Sequence, residues 1–394
     1  MPLIVLYWGC VFAVFYSYVL YPAILEFLAR GKSFKHPVYS GEGELPEVII
    51  FFSVYNGERV LKSKIESMLA SDYPRDKLRV IVGSDASTDK TEEIVRELMP
   101  TDDRLELHRF ERMGKANVLN KIHLLLKERG VGGDTVFILT DAYAIFRKDT
   151  VFEMVKHFKS DKIGIVGANY INTNIQGGGI SFQEKSYIQR ENLIKYWESV
   201  VFGSMMGVYG ACYAIRSKDL PLFPSTFLME DFYVTMYTLK NRKMSILTLD
   251  SKFYENIPNS IEIEYNRKKR IAAGNFQNLF YFISLLNPGY GGTAFTFFSH
   301  KVLRWVGPLF ILVSFLACFA LALSGSVVYQ ILAVLHLAIF CVPVIDYALK
   351  KAGVSLTLLR FITYFISMNL AVVAGFWWYI KGVKTNVWQP TARS

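Results

Sequence analysis

The 394-residue sequence contains only four cysteines, and no two of them form a Cys-x-x-Cys pair. Cys10, Cys318 and Cys341 fall within uncharged apolar stretches, and Cys212 stands alone in the central region. Disulfide frameworks and structural zinc sites both need cysteines at paired or regular spacings. The sequence therefore predicts neither of them.

Charged side chains are missing from three long stretches, which run from Pro2 to Leu25, from Trp305 to Ile345 and from Phe361 to Ile380. About 20 apolar residues span a bilayer, so the middle stretch is long enough for two spans. The first stretch lacks the basic start and the small-residue cleavage site of a secretory signal, and we interpret it as a retained anchor. The predicted domains are a transmembrane helix at 1–29, a cytoplasmic domain at 30–275, an interfacial helix and linker at 276–300, and a C-terminal part at 301–394 with spans at about 303–324, 327–346 and 358–380.

Basic residues beside the apolar stretches predict which side of the membrane each loop occupies. Arg30, Lys32 and Lys35 follow the first stretch, which places the central region in the cytoplasm. Lys350 and Lys351 agree with that orientation, but the basic residues after position 380 do not. We predict a multi-pass protein of the cell membrane with four crossings. The alternative is that one stretch lies along the interface or re-enters.

The formal net charge is +10. A basic chain attracts nucleic acid, but basic residues beside membrane spans also bind anionic lipid headgroups. Since the apolar stretches already predict a membrane protein, we interpret the charge as a contact with membrane lipids and expect no nucleic-acid partner.

A strand, helix and strand pattern opens the central region, with buried-type runs at Val48 to Phe52 and at Leu78 to Val82. Ligands of open parallel sheets bind at the carboxyl ends of the strands. Asn, Asp and Ser also form turns, and a purely structural role for these side chains remains an alternative. The polar residues at the two strand ends are Tyr55, Asn56, Glu58, Asp85, Ser87 and Asp89.

Three later segments carry further candidate ligands. Gly114 and Lys115 open a predicted helix and offer backbone N–H groups and a cation to an anion. Asp141 follows a predicted strand, and Glu230 and Asp231 open another helix. Solvated lysines and helix-capping carboxylates are the structural alternatives for these positions.

In this order the segments resemble the membrane-bound family 2 glycosyltransferases, the group that includes cellulose, chitin and hyaluronan synthases. Tyr-Asn-Gly-Glu at position 55, Asp-Ala-Ser-Thr-Asp at 85, Gly-Lys at 114, Gly-Ala at 210 and Glu-Asp at 230 carry the resemblance, which runs from about Pro46 to the tail at 388–393. It implies an α/β domain of the GT-A type, a Rossmann-like mixed sheet with helices on both faces, between transmembrane helices at both ends.

The resemblance also implies a role for each matching position. Asp231 would be the catalytic base beside Glu230, Asp141 would hold Mg²⁺ or Mn²⁺, and Gly210, Ala211 and Arg267 would contact the acceptor. Contacts with the nucleotide sugar are expected at Tyr55, Asn56, Glu58, Asp85, Ser87, Asp89, Lys115, Asp141 and Arg270.

Two positions depart from the family pattern. The Asp-x-Asp that carries the metal is Asp141-Ala142-Tyr143 here, and a neutral phenol is a poor ligand for Mg²⁺ or Mn²⁺. The Gln-x-x-Arg-Trp of processive synthases keeps its arginine as Arg270 but has Ile271 in place of tryptophan. The first departure weakens the expected metal site. The second makes one or a few additions as plausible as polymerisation.

The sequence therefore predicts an inverting transfer of a sugar from a nucleoside diphosphate, with UDP preferred, to a saccharide or lipid-linked acceptor in polysaccharide or glycolipid synthesis. The alternative is a membrane scaffold that binds nucleotide sugars without catalysis. A transporter is disfavoured because the apolar stretches contain no charged residue to mark a pathway.

Overall fold

The computed structural model describes residues 1–173, 180–256, 259–354 and 356–385. The tail at 388–393, to which the resemblance extends, lies outside these ranges. In the described part, eight strands form one mixed sheet in the order β3-β2-β1-β4-β7-β6-β8-β5. The strands are β1 (Val48–Val54), β2 (Leu78–Asp85), β3 (Leu105–Phe110), β4 (Val136–Thr140), β5 (Ile145–Phe146), β6 (Ile163–Thr173), β7 (Cys212–Arg216) and β8 (Met244–Asn256).

Helices cover both faces of the sheet and extend from it at both ends of the chain. A π-helical segment, Tyr16–Leu20, joins α1 to α2, and a second one, Phe297–Val302, joins α10 to α11. The α-helices are α1 (Pro2–Phe15), α2 (Tyr21–Ala29), α3 (Leu61–Leu69), α4 (Thr91–Leu98), α5 (Lys115–Glu128), α6 (Thr150–Val155), α7 (Ser181–Phe202), α8 (Glu230–Lys240), α9 (Ile261–Tyr281), α10 (Gly292–Thr296), α11 (Leu303–Leu323), α12 (Val327–Lys351) and α13 (Thr357–Ile380).

The continuous apolar run of β1 follows from its place in the middle of the sheet. β1 pairs in parallel with both β2 and β4. Val48, Ile50 and Phe52 point into one hydrophobic core, and Ile49 and Phe51 point into the core on the opposite face. A strand that is covered on both faces cannot alternate apolar and polar residues. The run therefore identifies a central parallel strand.

The sequence predicted the neighbouring strands β1 and β2 and missed the long strand β8. β8 pairs in parallel with β6, and its register shifts between Ala168 and Asn169 of β6. Asp250, Lys252 and Glu255 interrupt its apolar residues, so the stretch has no buried-type run. The expected boundary between residues 275 and 276 falls inside α9, which continues without a break from Ile261 to Tyr281.

Four helical segments are long and apolar enough to cross a membrane: Pro2–Ala29, Gly292–Leu323, Val327–Lys351 and Thr357–Ile380. They include the regions where the sequence predicted spans. The number of full crossings and their orientation remain predictions.

The last of these helices, α13, packs along α9 of the globular domain. The Phe276 and Phe376 rings are 4.8 Å apart between centroids, and the Phe280 and Tyr379 rings are stacked at 5.4 Å. Near its start, Tyr364 donates a hydrogen bond to Glu184 of α7. α13 therefore contacts the globular domain near its start and in its second half.

Gly375 permits this close approach of α13 to α9. A Cβ at Gly375 would lie 2.5 Å from the Lys269 carbonyl oxygen and 2.5 Å from the Ala272 Cβ. A Cβ at Gly307 of α11 would have no atom within 4 Å. The two glycines therefore form a matched pair for a packing test.

We expect Gly375→Ala to destabilise the protein by about 1–3 kcal/mol, because the added methyl group must push the two helices apart. Gly307→Ala should be neutral or slightly stabilising, since alanine is the better helix former. Thermal unfolding of both variants in the same detergent measures the difference. Equal melting temperatures would contradict the packing account.

Candidate active site

The loops that follow β1 and β2 are joined to each other by side-chain hydrogen bonds. The Asn56 Oδ1 accepts from the Thr88 N–H at 2.9 Å, and the Ser87 Oγ accepts from the Asn56 N–H at 3.1 Å. The Asp89 Oδ2 accepts from the Glu58 N–H at 3.0 Å. These four predicted nucleotide ligands therefore have a structural task, which matches the turn-forming alternative for this cluster. Any contact with a ligand remains a prediction.

Asp85, at the end of β2, is 1% exposed and holds Arg112 in place. Its Oδ1 also accepts the Met113 N–H at 2.7 Å. The Arg112 guanidinium lies over the Tyr55 ring, with 3.7 Å between its Cζ and the ring centroid. Asp85 is thus buried and bound to Arg112, and the Arg112 guanidinium is stacked on the Tyr55 ring.

Lys115 connects two of the predicted carboxylates. Gly114, with a φ of 85°, turns the chain into α5 and delivers the lysine to the ends of β4 and α8. The Lys115 Nζ lies 2.6 Å from a carboxylate oxygen of Asp141 and 2.6 Å from one of Glu230. Burial acts to lower the pKa of Lys115, but the two carboxylates outweigh it and raise that pKa. The ammonium is therefore a permanent positive charge.

Asp231 lies beside this pair in the first turn of α8 and is 9% exposed. Its Oδ2 accepts the Gly210 N–H at 2.9 Å, and a Cβ at Gly210 would come within 3.1 Å of the same oxygen. Burial, followed by the charge of Glu230, raises the pKa of Asp231 to about 6. A carboxylate with this pKa is suited to accept a proton near neutral pH.

A cavity of about 380 Å³ extends from these carboxylates to the membrane-type helices. It brings together most of the predicted catalytic and acceptor positions, whereas the predicted loop residues 55–58 and 85–89 do not line it. Its lining includes the predicted residues Lys115, Asp141, Gly210, Ala211, Glu230, Asp231, Arg267 and Arg270, and from the apolar helices Tyr18, Arg304, Phe365, Met368, Asn369 and Val372.

Arg267, predicted to bind the acceptor, is engaged by two buried glutamates. Its guanidinium lies 3.1 Å from Glu184 and 3.1 Å from Glu264, and Lys268 lies 3.3 Å from each. Burial opposes the charge of Arg267, but Glu264 and Glu184 raise its pKa. Arg267 therefore lines the cavity as part of an ion-pair network.

A second buried network joins α7 to the start of α11. The Glu191 carboxylate lies 2.9 Å from the His300 Nε2, 2.7 Å from the Lys301 Nζ and 3.1 Å from the Arg304 guanidinium. Glu198 receives His300 at 2.6 Å. Sequence patterns did not predict this contact between the globular domain and a membrane-type helix.

The residues around Asp141 fit a divalent ion only in part. In the described ranges, no group of three or more His, Cys, Asp or Glu side chains is arranged to hold a metal. Mg²⁺ and Mn²⁺ can bind through one or two carboxylates when substrate phosphates complete the shell. Asp141, with 31% of its side chain exposed, provides one such oxygen ligand, and Lys115 shares it.

Comparison with known proteins identifies the family. The model of glycosyl transferase family 2 matches residues 49–218, and that of glycosyl transferase family group 2 matches residues 136–345, which is more than half of the chain. The chain belongs to the family 2 glycosyltransferases. This confirms the predicted resemblance.

A solved structure confirms the GT-A type fold with membrane-type helices. A mannosyltransferase from Pyrobaculum calidifontis, determined with GDP-mannose and Mn²⁺, superposes with a TM-score of 0.69. The alignment covers 96% of this chain and 99% of that one at 21% identity, which supports the fold alone.

Two curated relatives are similar over shorter segments. A beta-monoglucosyldiacylglycerol synthase of Nostoc is 28% identical over 163 residues, or 40% of this chain. A poly-beta-1,6-N-acetyl-D-glucosamine synthase of Staphylococcus aureus is 30% identical over 127 residues, or 32% of this chain. The matches span 33% and 29% of the lengths of these two relatives.

Sequence reasoning missed Arg112 and Lys195 as candidate site residues of this glycosyltransferase. Arg112 directly precedes the Gly114-Lys115 motif, and a basic residue at that place was the available signal. Lys195 falls with Glu184, Glu191 and Glu198 on one face of α7, at spacings of three, four and seven residues. A stripe of charges at helical spacing signals either a solvated face or a polar interior.

Asp231→Asn should make the protein more stable at pH 8. Folding raises the pKa of Asp231 to about 6. The carboxyl therefore favours the folded state below pH 4 and loses that contribution as the pH rises through 6. At pH 8 the gain on substitution should be on the order of 2–3 kcal/mol, and it should shrink towards pH 4.

Thermal unfolding at pH 8 and at pH 4 measures this gain. Asp250→Asn is the control, since 73% of the Asp250 side chain is exposed, and it should change the melting temperature little at either pH. A pH-independent effect of Asp231→Asn would contradict an ionised, buried Asp231.

Proposed function

We propose that this family 2 glycosyltransferase moves a hexose from a nucleoside diphosphate sugar to a hydroxyl group of a lipid or lipid-linked saccharide, with inversion at the anomeric carbon. The observation that carries the proposal is Asp231, a buried carboxylate with a pKa of about 6 in a cavity that continues to the apolar helices. The curated relatives named as synthases of a glycolipid and of a polysaccharide support both acceptor classes.

In the proposed step, the acceptor oxygen attacks the anomeric carbon and its proton passes to a carboxylate oxygen of Asp231. The bond between that carbon and the diphosphate oxygen breaks, and the nucleoside diphosphate leaves with the electron pair. The Gly210 N–H, 2.9 Å from the Asp231 Oδ2, fixes the orientation of the base. General bases of this kind contribute about 10²- to 10⁴-fold to the rate.

Positive charge near the diphosphate would stabilise the leaving group. Lys115 provides one fixed cation between Asp141 and Glu230, and Arg270 lines the same cavity. Electrostatic stabilisation of developing charge is usually the largest contribution to catalysis. A divalent ion held by Asp141 and the phosphates would add to that charge when bound.

The donor nucleotide would lie against Tyr55 and Arg112, whose stacked arrangement is fixed by Asp85. An arginine over an aromatic ring offers both a flat surface and N–H donors to a nucleobase. We propose that Asp85 acts through Arg112, in addition to any direct contact with the base. UDP remains the preferred nucleotide on the family resemblance.

Ile271 at the cavity wall supports a short product. The aromatic platform that the resemblance expects at this position is absent, so successive sugars would lack a stacking surface at position 271. A single or limited addition to a membrane acceptor is the form of the proposal that this cavity favours.

The proposal is tested by incubating the purified protein with a panel of UDP-, GDP- and other nucleotide sugars and measuring released nucleoside diphosphate. With the active donor, Asp231→Asn should lower the rate about 10²- to 10⁴-fold and leave donor affinity nearly unchanged. For the wild type, kcat/KM should fall about tenfold per pH unit below pH 6, because the base becomes protonated there.

Asp250→Asn serves again as the control and should retain full activity. A wild-type protein that binds a nucleotide sugar but never releases nucleoside diphosphate would support the non-catalytic scaffold instead. An Asp231→Asn variant with the native rate would remove Asp231 from the mechanism.

The proposed metal role predicts that excess chelator lowers nucleoside diphosphate release and that Mn²⁺ or Mg²⁺ restores it. Tyr143→Asp restores the second carboxylate of the family motif and should lower the Mn²⁺ concentration for half-maximal activity. Tyr143→Phe is the matched control and should leave that concentration unchanged. Full activity in excess chelator would contradict metal binding at Asp141.

A further inference from the structure

Lys195 is a buried cation that the sugar-transfer mechanism does not use. It lies in the middle of α7, is 4% exposed and lines the cavity that contains Asp231. Its Nζ rests on the Tyr209 ring, 3.4 Å from the centroid. The residue after Tyr209 is Gly210, whose N–H is bound by Asp231. Lys195 is therefore linked to the proposed base, Asp231, through Tyr209 and Gly210.

Two other lysines of this region are neutralised by carboxylates. Lys115 is paired with Asp141 and Glu230, and Lys301 is paired with Glu191 at 2.7 Å. For Lys195, the described part of the chain contains neither an ion pair nor a hydrogen bond from Nζ. A buried ammonium that no carboxylate contacts directly is costly, unless a ligand provides the contact.

One further polar group next to Lys195 has no partner in the described part of the chain. The Tyr209 hydroxyl is buried without a hydrogen-bond partner in the described ranges. Glu191 and Glu198 both contact His300, and Glu191 also forms ion pairs with Lys301 and Arg304. Burial, followed by the charge of Lys301, lowers the pKa of Lys195 to about 7, although the charges of Glu191, Asp231 and Glu198 act in the opposite direction. A bound anion would raise this pKa further.

The position of Lys195 along the cavity indicates where the anion comes from. At one end are Lys115 and Asp141, the proposed contacts of the donor diphosphate. At the other end the lining comes from apolar helices, with Tyr18 of the first, Arg304 of α11 and Met368 of α13. The charges of Asp231 and of Lys301 and Glu191, the last two at the contact with the start of α11, all act on Lys195. An acceptor that enters from the membrane would therefore meet Lys195 close to Asp231.

We propose that Lys195, with the Tyr209 hydroxyl, binds the phosphate group of a lipid phosphate or diphosphate, which identifies the acceptor class as an anionic, phosphate-linked lipid. This inference rests on the proposed transfer to a membrane acceptor and specifies its substrate. The apolar chain lies against α13 and the start of α11, and the acceptor hydroxyl faces Asp231.

The proposal is tested first by binding, without any nucleotide sugar. Dodecyl phosphate is titrated into the purified full-length protein and followed by calorimetry. A charge-assisted contact predicts that Lys195→Met binds dodecyl phosphate about 10- to 100-fold more weakly than the wild type. Lys195→Arg should retain most of the affinity. Lys185→Met, which removes the same charge from the same helix outside the cavity, should bind as the wild type does.

Three comparisons decide between phosphate sources. Dodecyl glucoside, which is neutral, should show no dependence on Lys195. Inorganic phosphate should compete only weakly with dodecyl phosphate, and equal affinity for the two would overturn the lipid assignment. A loss of nucleoside diphosphate affinity in Lys195→Met would also overturn it, because Lys195 would then serve the donor.

Wild-type affinity of Lys195→Met for dodecyl phosphate overturns the proposal directly. Should that variant fail to fold, Lys195→Gln and Tyr209→Phe take its place, and each should weaken binding of dodecyl phosphate but not of dodecyl glucoside. If dodecyl phosphate binding depends on Lys195 but the protein releases no nucleoside diphosphate from any donor, the proposed transfer is wrong and the phosphate site is supported. If the protein turns over a donor but Lys195 has no effect on dodecyl phosphate binding, the proposed transfer is supported and the phosphate site is wrong.

Discussion

Three buried glutamates on one face of α7 hold the molecule together at the border between its two parts. Glu184, Glu191 and Glu198 are 0–4% exposed. Each is compensated by cations or hydrogen-bond donors from other elements, with Arg267 of α9 and His300 before α11 as examples. An uncompensated charge at this depth would destabilise the fold strongly, so α7 cannot separate from either neighbour. The cavity keeps its shape because its wall is this ion-pair layer.

This layer also explains which parts of the fold could be predicted from the sequence. Apolar runs located the central strands and the membrane-type helices, because burial on both faces or in lipid removes polar residues. The helical spacing of α7 was visible, but its orientation was not. Phe182, Tyr187 and Leu193 are 40–51% exposed while the glutamates point inward. An apolar exterior around a polar interior reverses the rule for soluble helices.

The candidate site shows a similar division. The order of the motifs was enough to bring Lys115, Asp141 and Asp231 together, since strand ends of a parallel sheet share one edge. Asn56 and Asp89 were equally visible in the sequence, yet they bind the neighbouring loop. Only coordinates separate a side chain that faces a cavity from one that closes a turn. Arg112 and Lys195 depend on contacts with distant residues, which local patterns do not record.

The path from the membrane to the proposed base passes through residues that constrain one another. Asp231 binds the Gly210 N–H, Tyr209 precedes that glycine, and the Tyr209 ring supports Lys195. Lys195 in turn lies on α7, between glutamates that are tied to the segment leading into α11. Because Lys195 and Asp231 are connected through two consecutive backbone positions, the protein sets the distance between the proposed phosphate site and the proposed base. A phosphate bound at Lys195 would therefore select which acceptor hydroxyl reaches Asp231, and so the position of the new bond.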